Sequence, residues 1–169
     1  MNKVEVIDNF LTEENYEKIT DVVCNHKFPW FVSESSDYRD DNNAQLYHIF
    51  YNNNVPNSDW YYKLEPLFQK MEIFSLFKVR GIATMKSNGN DNIYHTDMEY
   101  QGKPTTATTA IYYLNTNDGG TQFEYDGKII KTVANRLVMF NSLMRHRTVK
   151  HTTGDPFRYV LNINYVGAR

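Results

Sequence analysis

Residues 157–165 read "FRYVLNINY", and this stretch decides the fold. In an extended strand, side chains alternate between two faces. Arg158, Val160, Asn162 and Asn164 then share one face, and Tyr159, Leu161, Ile163 and Tyr165 share the other. The second face is that of a core strand. The first is polar and carries a guanidinium, which is costly to bury without a partner. A central strand with one polar face points to a cavity lined by that face, as in a barrel or jelly roll. The alternative is an edge strand whose Arg and Asn meet water.

Working outward, the same β signature recurs. "RLVMF" (136–140), "TTATTAIYYL" (105–114) and "LFKVRGIATMK" (76–86) are rich in β-branched and aromatic residues. "FEYDGKII" (123–130) contains Asp126-Gly127, the signal of a two-residue hairpin. Gly119-Gly120 and "TGDP" (153–156) punctuate the run.

The first third differs. "KVEVI" (3–7) reads as a short strand and "LYHIFY" (46–51) as another. In "TEENYEKITDVVCNH" (12–26), Thr12 is an N-cap candidate, with Glu13 and Glu14 in the first turn. Tyr16, Ile19 and Val23 recur at helical spacing, predicting a helix over 13–25 that Pro29 breaks. A second helix is predicted from Ser58 or Asp59, with Trp60, Leu64, Leu67, Phe68 and Met71 on one face. Pro66 should kink or restart it. The polar stretch "SESSDYRDDNNA" (33–44) reads as a connection or a lid over a pocket. The expected class is α+β, mainly β: a jelly roll with N-terminal supporting helices, as one domain over 1–169.

Composition narrows the function classes. The 169 residues carry 18 basic and 20 acidic side chains, a formal net charge of −2. No basic block stands out, so a nucleic-acid partner held by phosphate contacts is not favoured. Aromatics are 15% of the chain, with 13 Tyr and 10 Phe, which suits sheets. The lone cysteine, Cys24, excludes a disulfide framework and fits a reducing, cytoplasmic setting. No apolar run is long enough to span a membrane.

Chemistry concentrates in "NIYHTDMEY" (92–100). His95 and Asp97, two residues apart, face the same way if this segment is extended, so both can reach one ion. A third ligand must come from another strand, and His146 and His151 are available. His146 lies where the strand after "NSLMR" should begin. Two His and one carboxylate make a facial triad with open positions, the usual site of non-haem Fe(II) oxygenases. The lack of thiolate ligands argues against a structural zinc site. Arg158 calls for an anion, which a carboxylate-bearing cosubstrate would supply through a bidentate pair.

The order "HTD", then His146, then Arg158 twelve residues on, resembles the 2-oxoglutarate and Fe(II)-dependent oxygenases. Among them it is most similar to the small prolyl-4-hydroxylase-like group, including forms typical of phages and marine bacteria. "VEVIDNFL" (4–11) resembles that group's opening. "TAIYYLNTNDGGTQFEY" (109–125) resembles its strand, Asn turn and Gly-Gly hairpin, and "NRLVMFNSLMRH" (135–146) the strand leading to its distal histidine. The resemblance covers nearly the whole chain.

It implies a double-stranded β-helix in which His95, Asp97 and His146 bind Fe(II). It implies that Arg158 pairs with the far carboxylate of 2-oxoglutarate and that Tyr113 bonds the same carboxylate. Thr109 shares the Tyr113 face and is a further candidate. His151 stands only seven residues before Arg158, short for the group, so His146 is preferred. Met85 occupies a position where relatives often place a cosubstrate-contacting Tyr, and it cannot donate a hydrogen bond. The implied reaction uses O2 and decarboxylates 2-oxoglutarate to succinate while hydroxylating a C–H bond, a peptidyl proline being favoured. A free amino acid or small metabolite is the other substrate class. A non-catalytic metal- or ligand-binding module on the same barrel is the rival reading. Asn162, Asn164 and the 33–44 loop are the candidates to line the substrate pocket.

Overall fold

The alternation in 157–165 holds in three dimensions and divides the molecule into two cores. In the computed structural model, which describes residues 3–35, 43–89, 92–100, 103–104 and 107–167, thirteen strands carry the fold. They are β1 (Glu5–Ile7), β2 (Phe31–Ser33), β3 (Gln45–Asn52), β4 (Val55–Pro56), β5 (Ile73–Met85), β6 (Glu99–Tyr100), β7 (Lys103–Pro104), β8 (Thr108–Tyr113), β9 (Gly120–Phe123), β10 (Ile129–Lys131), β11 (Arg136–Asn141), β12 (His146–Val149) and β13 (Phe157–Gly167). Seven strands form a large sheet in the order β1-β11-β8-β13-β5-β3-β2, with β4 added beside β3. A small sheet runs β10-β9-β12, and β6 pairs with β7. Two antiparallel sheets face each other in a double-stranded β-helix, the jelly roll that the sequence predicts.

β13 lies at the centre of the large sheet, between β8 and β5, so the edge-strand alternative is excluded. Its Leu161, Ile163 and Tyr165 face outward with Ala110, Tyr112 and Leu114 from β8 and beside it. Its Val160 faces inward, with Ile111 and Tyr113 of β8, Val138 and Phe140 of β11, and Phe123 and Ile130 of the small sheet.

The outward core is covered by helices. Helix α1 (Glu13–Val23) starts where Thr12 Oγ1 accepts a hydrogen bond from Asn15 N at 3.4 Å, with Glu13 and Glu14 in its first turn. Ile19 and Val23 are its fully buried residues, and Tyr16 donates to the Leu114 carbonyl at 2.8 Å. The helix ends at Val23, two residues short of the predicted end and well before Pro29, with Cys24 as C-cap. The predicted second helix splits. A 3-10 segment spans Asp59–Leu64, and α2 (Glu65–Lys70) restarts with Pro66 in its first turn, where a missing N–H does no harm. Leu64 and Leu67 are fully buried, whereas Trp60 keeps 37% exposure. Each fully buried aliphatic side chain here contributes about 1.5–3 kcal/mol relative to exposure.

One turn differs from expectation. Asp126-Gly127 does close a hairpin between β9 and β10, but through four residues, 124–127. Phe123 N donates to Lys128 O, and Gly127 N, at a positive φ of 69°, donates to Phe123 O. Asp126 Oδ1 accepts from Lys128 N at 2.9 Å, an Asx-type turn that lengthens the loop. Before it, Gly120 is required by close approach: a Cβ there would lie 2.6 Å from Ile130 O. Of the 33–44 stretch proposed as a lid, residues 36–42 lie outside the described residues.

Candidate metal centre and its cavity

Residues 92–97 run antiparallel along β12, so the small sheet gains a fourth segment. Asn92 N donates to Thr148 O, Asp97 N to Ser142 O, and His95 and His146 exchange both backbone hydrogen bonds at 3.0 Å. That pairing sets the two imidazoles side by side, ring centroids 4.7 Å apart. His95 and Asp97 project from the same face as the alternation requires. Both histidine Nε2 atoms lie 3.7 Å from Asp97 Oδ1, and one ligand atom from each of the three residues lies within 4.8 Å of the others.

The orientation of each ligand is fixed from behind. His146 Nδ1 is 2.9 Å from Met144 O and His95 Nδ1 is 3.2 Å from Ile93 O. A carbonyl only accepts, so each Nδ1 carries the proton and each Nε2 presents its lone pair to the centre. Asp97 uses Oδ1 toward the histidines and Oδ2 as an acceptor. Oδ2 receives Thr109 Oγ1 at 2.8 Å, Asn162 Nδ2 at 3.0 Å and Asn164 Nδ2 at 3.4 Å. Asn164 Nδ2 also donates to Thr109 Oγ1 at 3.0 Å.

Burial pushes the Asp97 carboxyl pKa upward, but His146, His95 and the hydrogen bonds from Asn162 and Thr109 outweigh it. The result lies below the ordinary aspartate value, and the group is a carboxylate. Burial holds His146 below the usual histidine range despite the pull of Asp97, which favours the neutral ring a metal needs. This donor set, two imidazole nitrogens and one carboxylate oxygen with a supporting shell already in place, fits a divalent transition metal.

His151 takes no part. Its Nε2 lies 3.1 Å from Asp155 O in the turn before β13, and its ring is fully buried away from the triad. Of the two candidates for the third ligand, the fold brings His146 to the pair.

The triad opens into a cavity of about 440 Å³ between the sheets. Asn162 and Asn164 line it, and so does Arg158. Arg158 is 2% exposed. Its Nε donates to Thr132 Oγ1 at 2.9 Å, its Nη2 lies 3.4 Å from Thr121 Oγ1, and its guanidinium lies 5.2 Å from the Tyr113 ring centroid. Burial draws the Arg158 pKa below its usual value, an effect that Tyr113 opposes. No carboxylate faces this cation among the described residues. Tyr113 itself is fully buried and donates to Thr121 Oγ1 at 2.8 Å. It lies beneath Arg158 and Thr121, and the hydroxyl of Thr109 is committed to Asp97. Met85 pairs with Phe157 and is exposed; Thr84, paired with Arg158, is the residue on the inner face. The substitution at Met85 therefore lies on the far side of the strand from the cavity.

Several cavity residues had no distinctive mark in the sequence. Thr121 in β9 and Thr132 just after β10, which hold the guanidinium, carry no mark in the sequence that sets them apart from other threonines. Lys78 and Arg80 of β5 also line the cavity, and only the alternation of "KVRGI" could have placed them on one face. Ser33, Ser35 and Gln45, at the two ends of the proposed lid, line it as well.

No protein-family model matches the chain, and no curated protein sequence matches it. Solved structures do. The chain aligns over 99% of its length, and 79% of the other's, with the non-heme alpha ketoglutarate dependent epimerase SnoN from nogalamycin biosynthesis, at a TM-score of 0.69 and 12% identity. A prolyl hydroxylase from Trichoplax adhaerens, solved with a hypoxia inducible factor oxygen degradation domain peptide fragment, aligns over 98% of this chain and 84% of that one, at 0.67 and 16%. The viral collagen prolyl hydroxylase vCPH of Paramecium Bursaria Chlorella virus-1, solved as its 2OG complex, aligns over 96% of both chains, at 0.58 and 16%. At these identities the shared property is the fold.

Proposed function

We propose that this protein is an Fe(II)- and 2-oxoglutarate-dependent oxygenase that hydroxylates a C–H bond, with a prolyl residue of a peptide or protein as the favoured substrate. One observation carries the reading. A His-Asp-His set and a buried arginine with no carboxylate partner among the described residues open into the same cavity of a double-stranded β-helix. Burying an unpaired guanidinium costs several kcal/mol, and a ligand carboxylate offsets that cost. Solved proteins of this fold include an epimerase in complex with Fe3+ and alpha ketoglutarate and prolyl hydroxylases, one of them as its 2OG complex, which supports the class and the first substrate to test.

In this reading His95, Asp97 and His146 hold the metal, and Arg158, steadied by Thr132 and Thr121, binds the distal carboxylate of the cosubstrate. The metal and cosubstrate together supply the oxidising chemistry, consuming O2 and converting 2-oxoglutarate to succinate and CO2. The protein's share is positioning. Thr109, Asn162 and Asn164 keep Asp97 Oδ2 occupied so that Oδ1 alone faces the metal position. Val160, Ile111 and Ile82 give the cavity an apolar wall that keeps water from the reacting atoms.

The test is succinate release with Fe(II), 2-oxoglutarate and O2, screened over proline peptides, free amino acids and small metabolites. Wild type should release succinate slowly alone and faster with a substrate, and His95→Ala and Asp97→Ala should abolish it. Turnover intact in either variant would exclude this metal site. Stimulation by free acids or metabolites but by no proline peptide would move the substrate to the small-molecule class.

A further inference from the structure

Asn162 and Asn164 are used at one end only. Each turns its Nδ2 to Asp97 Oδ2, at 3.0 and 3.4 Å, and Asn164 Nδ2 also donates to Thr109 Oγ1 at 3.0 Å. Asp97 is a carboxylate and only accepts, and the Thr109 proton is itself given to Asp97. The NH2 end of each amide is therefore the end that faces Asp97, and the hydrogen-bond network fixes the amide orientation. Two side-chain carbonyl oxygens are left over. Among the described residues neither Oδ1 accepts a hydrogen bond, although Asn164 is 2% exposed and both residues line the cavity. Neither is sealed in the interior as an orphaned polar atom, so both stay open to the cavity. The two residues are neighbours on one face of β13, roughly 7 Å apart along the strand, and both adjoin Asp97 of the triad.

This arrangement selects for donors. A ligand that displaces water from a recessed acceptor must bring a donor of its own or lose affinity. A hydroxyl both donates and accepts, so an amide free to turn would serve it equally at either end. Holding both NH2 ends on Asp97 leaves a face that only accepts. The groups that only donate are amide N–H and ammonium. Dianionic 2-oxoglutarate has neither, since all its oxygens accept. The two carbonyls therefore serve a different ligand from the cosubstrate.

We propose that the substrate presents an N–H to Asn162 Oδ1 and Asn164 Oδ1, and that this contact sets which C–H bond faces the metal position. The proposal rests on the oxygenase reading for the reaction, and it makes the two asparagines specificity residues as well as supports of Asp97. A prolyl nitrogen within a peptide carries no hydrogen. In a peptide substrate the nearest N–H is that of the residue after proline, and in a free amino acid it is the ammonium.

Calorimetric titration of the Mn(II)-loaded protein, saturated with 2-oxoglutarate, tests this with two matched pairs. N-acetyl-L-proline N-methylamide is set against the corresponding methyl ester, in which oxygen replaces the N–H. L-proline is set against N,N-dimethyl-L-proline, which keeps the charge and loses the N–H hydrogens. In at least one pair the N–H member should bind about fivefold tighter or more, and the pair that shows it identifies the amide or the ammonium as the source. Asn162→Ala and Asn164→Ala also loosen Asp97, which lowers the affinity of both members of a pair alike. The ratio within the pair is therefore the readout, and it should fall toward one in at least one of these variants. Equal binding within both pairs in wild type overturns the proposal, as does no measurable binding of either N–H member. So does a ratio that both variants retain, which would place the N–H contact elsewhere. Failure of wild type to bind 2-oxoglutarate at all would count against the oxygenase reading, while the same pairs, titrated on the Mn(II) protein without it, still decide this one.

Discussion

Asp97 does two jobs with two oxygens, and the division is made by side chains on other strands. Thr109, Asn162 and Asn164 converge on Oδ2 from β8 and β13. A Thr109→Val change keeps the shape of that wall but removes its shortest hydrogen bond. Supporting partners of this kind are worth about 10–100-fold in metal affinity. Anaerobic metal titration should therefore show Thr109→Val weaker by roughly that factor, with little change in Tm; equal affinity would mean that Thr109 does not orient Asp97. At this scale the sequence was informative where residue type was unusual for its place. His95, Asp97, His146 and Arg158 were all legible, because a cation in a core strand and a paired His and Asp demand partners. Thr109 was legible only as a face, since alternation says which way a hydroxyl points and not which oxygen it meets.

Among the elements, the small sheet sets the site, because β12 and the 92–97 segment carry all three triad residues. The turn before β9 is tied to the turn before β13 by Asp118, which accepts from Thr152 N at 2.8 Å, Thr152 Oγ1 at 2.6 Å and Thr153 N at 3.0 Å. These bonds, the Thr152 hydroxyl first, hold the Asp118 pKa well below the usual carboxylate range. A depressed carboxylate stabilises the fold above its unfolded pKa, and that contribution is lost as pH falls through the folded value. Thermal unfolding should thus show Asp118→Asn less stable than wild type at pH 7, with the gap closing as pH drops below about 4. A gap independent of pH would show that the charge is not what matters. Helix α1 and the longer strands were readable from period and propensity, whereas the short strands β2, β4, β6 and β7 were not, being too brief to show a period. The four-residue hairpin was not, because Asp-Gly fits several turns and an Asx contact chose the longer one. Helix α1 ends at Val23, where the backbone leaves helical geometry at Cys24, six residues before Pro29.

Across the whole molecule, the large sheet separates a structural core from a working one. The helices and the outer face of β13 and β8 bury aliphatic and aromatic side chains, whereas the inner face is part apolar wall and part polar site. Ile19 belongs wholly to the first. Ile19→Ala should cost about 2–5 kcal/mol in urea unfolding, yet leave metal affinity within a few-fold of wild type. A matching loss of metal affinity would show the two cores to be coupled. This architecture was legible from one strand, since a central strand apolar on one side and polar on the other needs a core and a cavity. Lys78 and Arg80 entered the site only when β5 was folded against β13. The central claim is that the triad and Arg158 form one site for a metal-bound 2-oxoglutarate. Anaerobic titration of the Fe(II)-loaded protein with 2-oxoglutarate tests it most directly, through the weak visible charge-transfer band of the complex. Wild type should develop the band saturably, His146→Ala should not, and Arg158→Met should need at least tenfold more 2-oxoglutarate. No band in wild type, or an unchanged titration in Arg158→Met, would contradict the account.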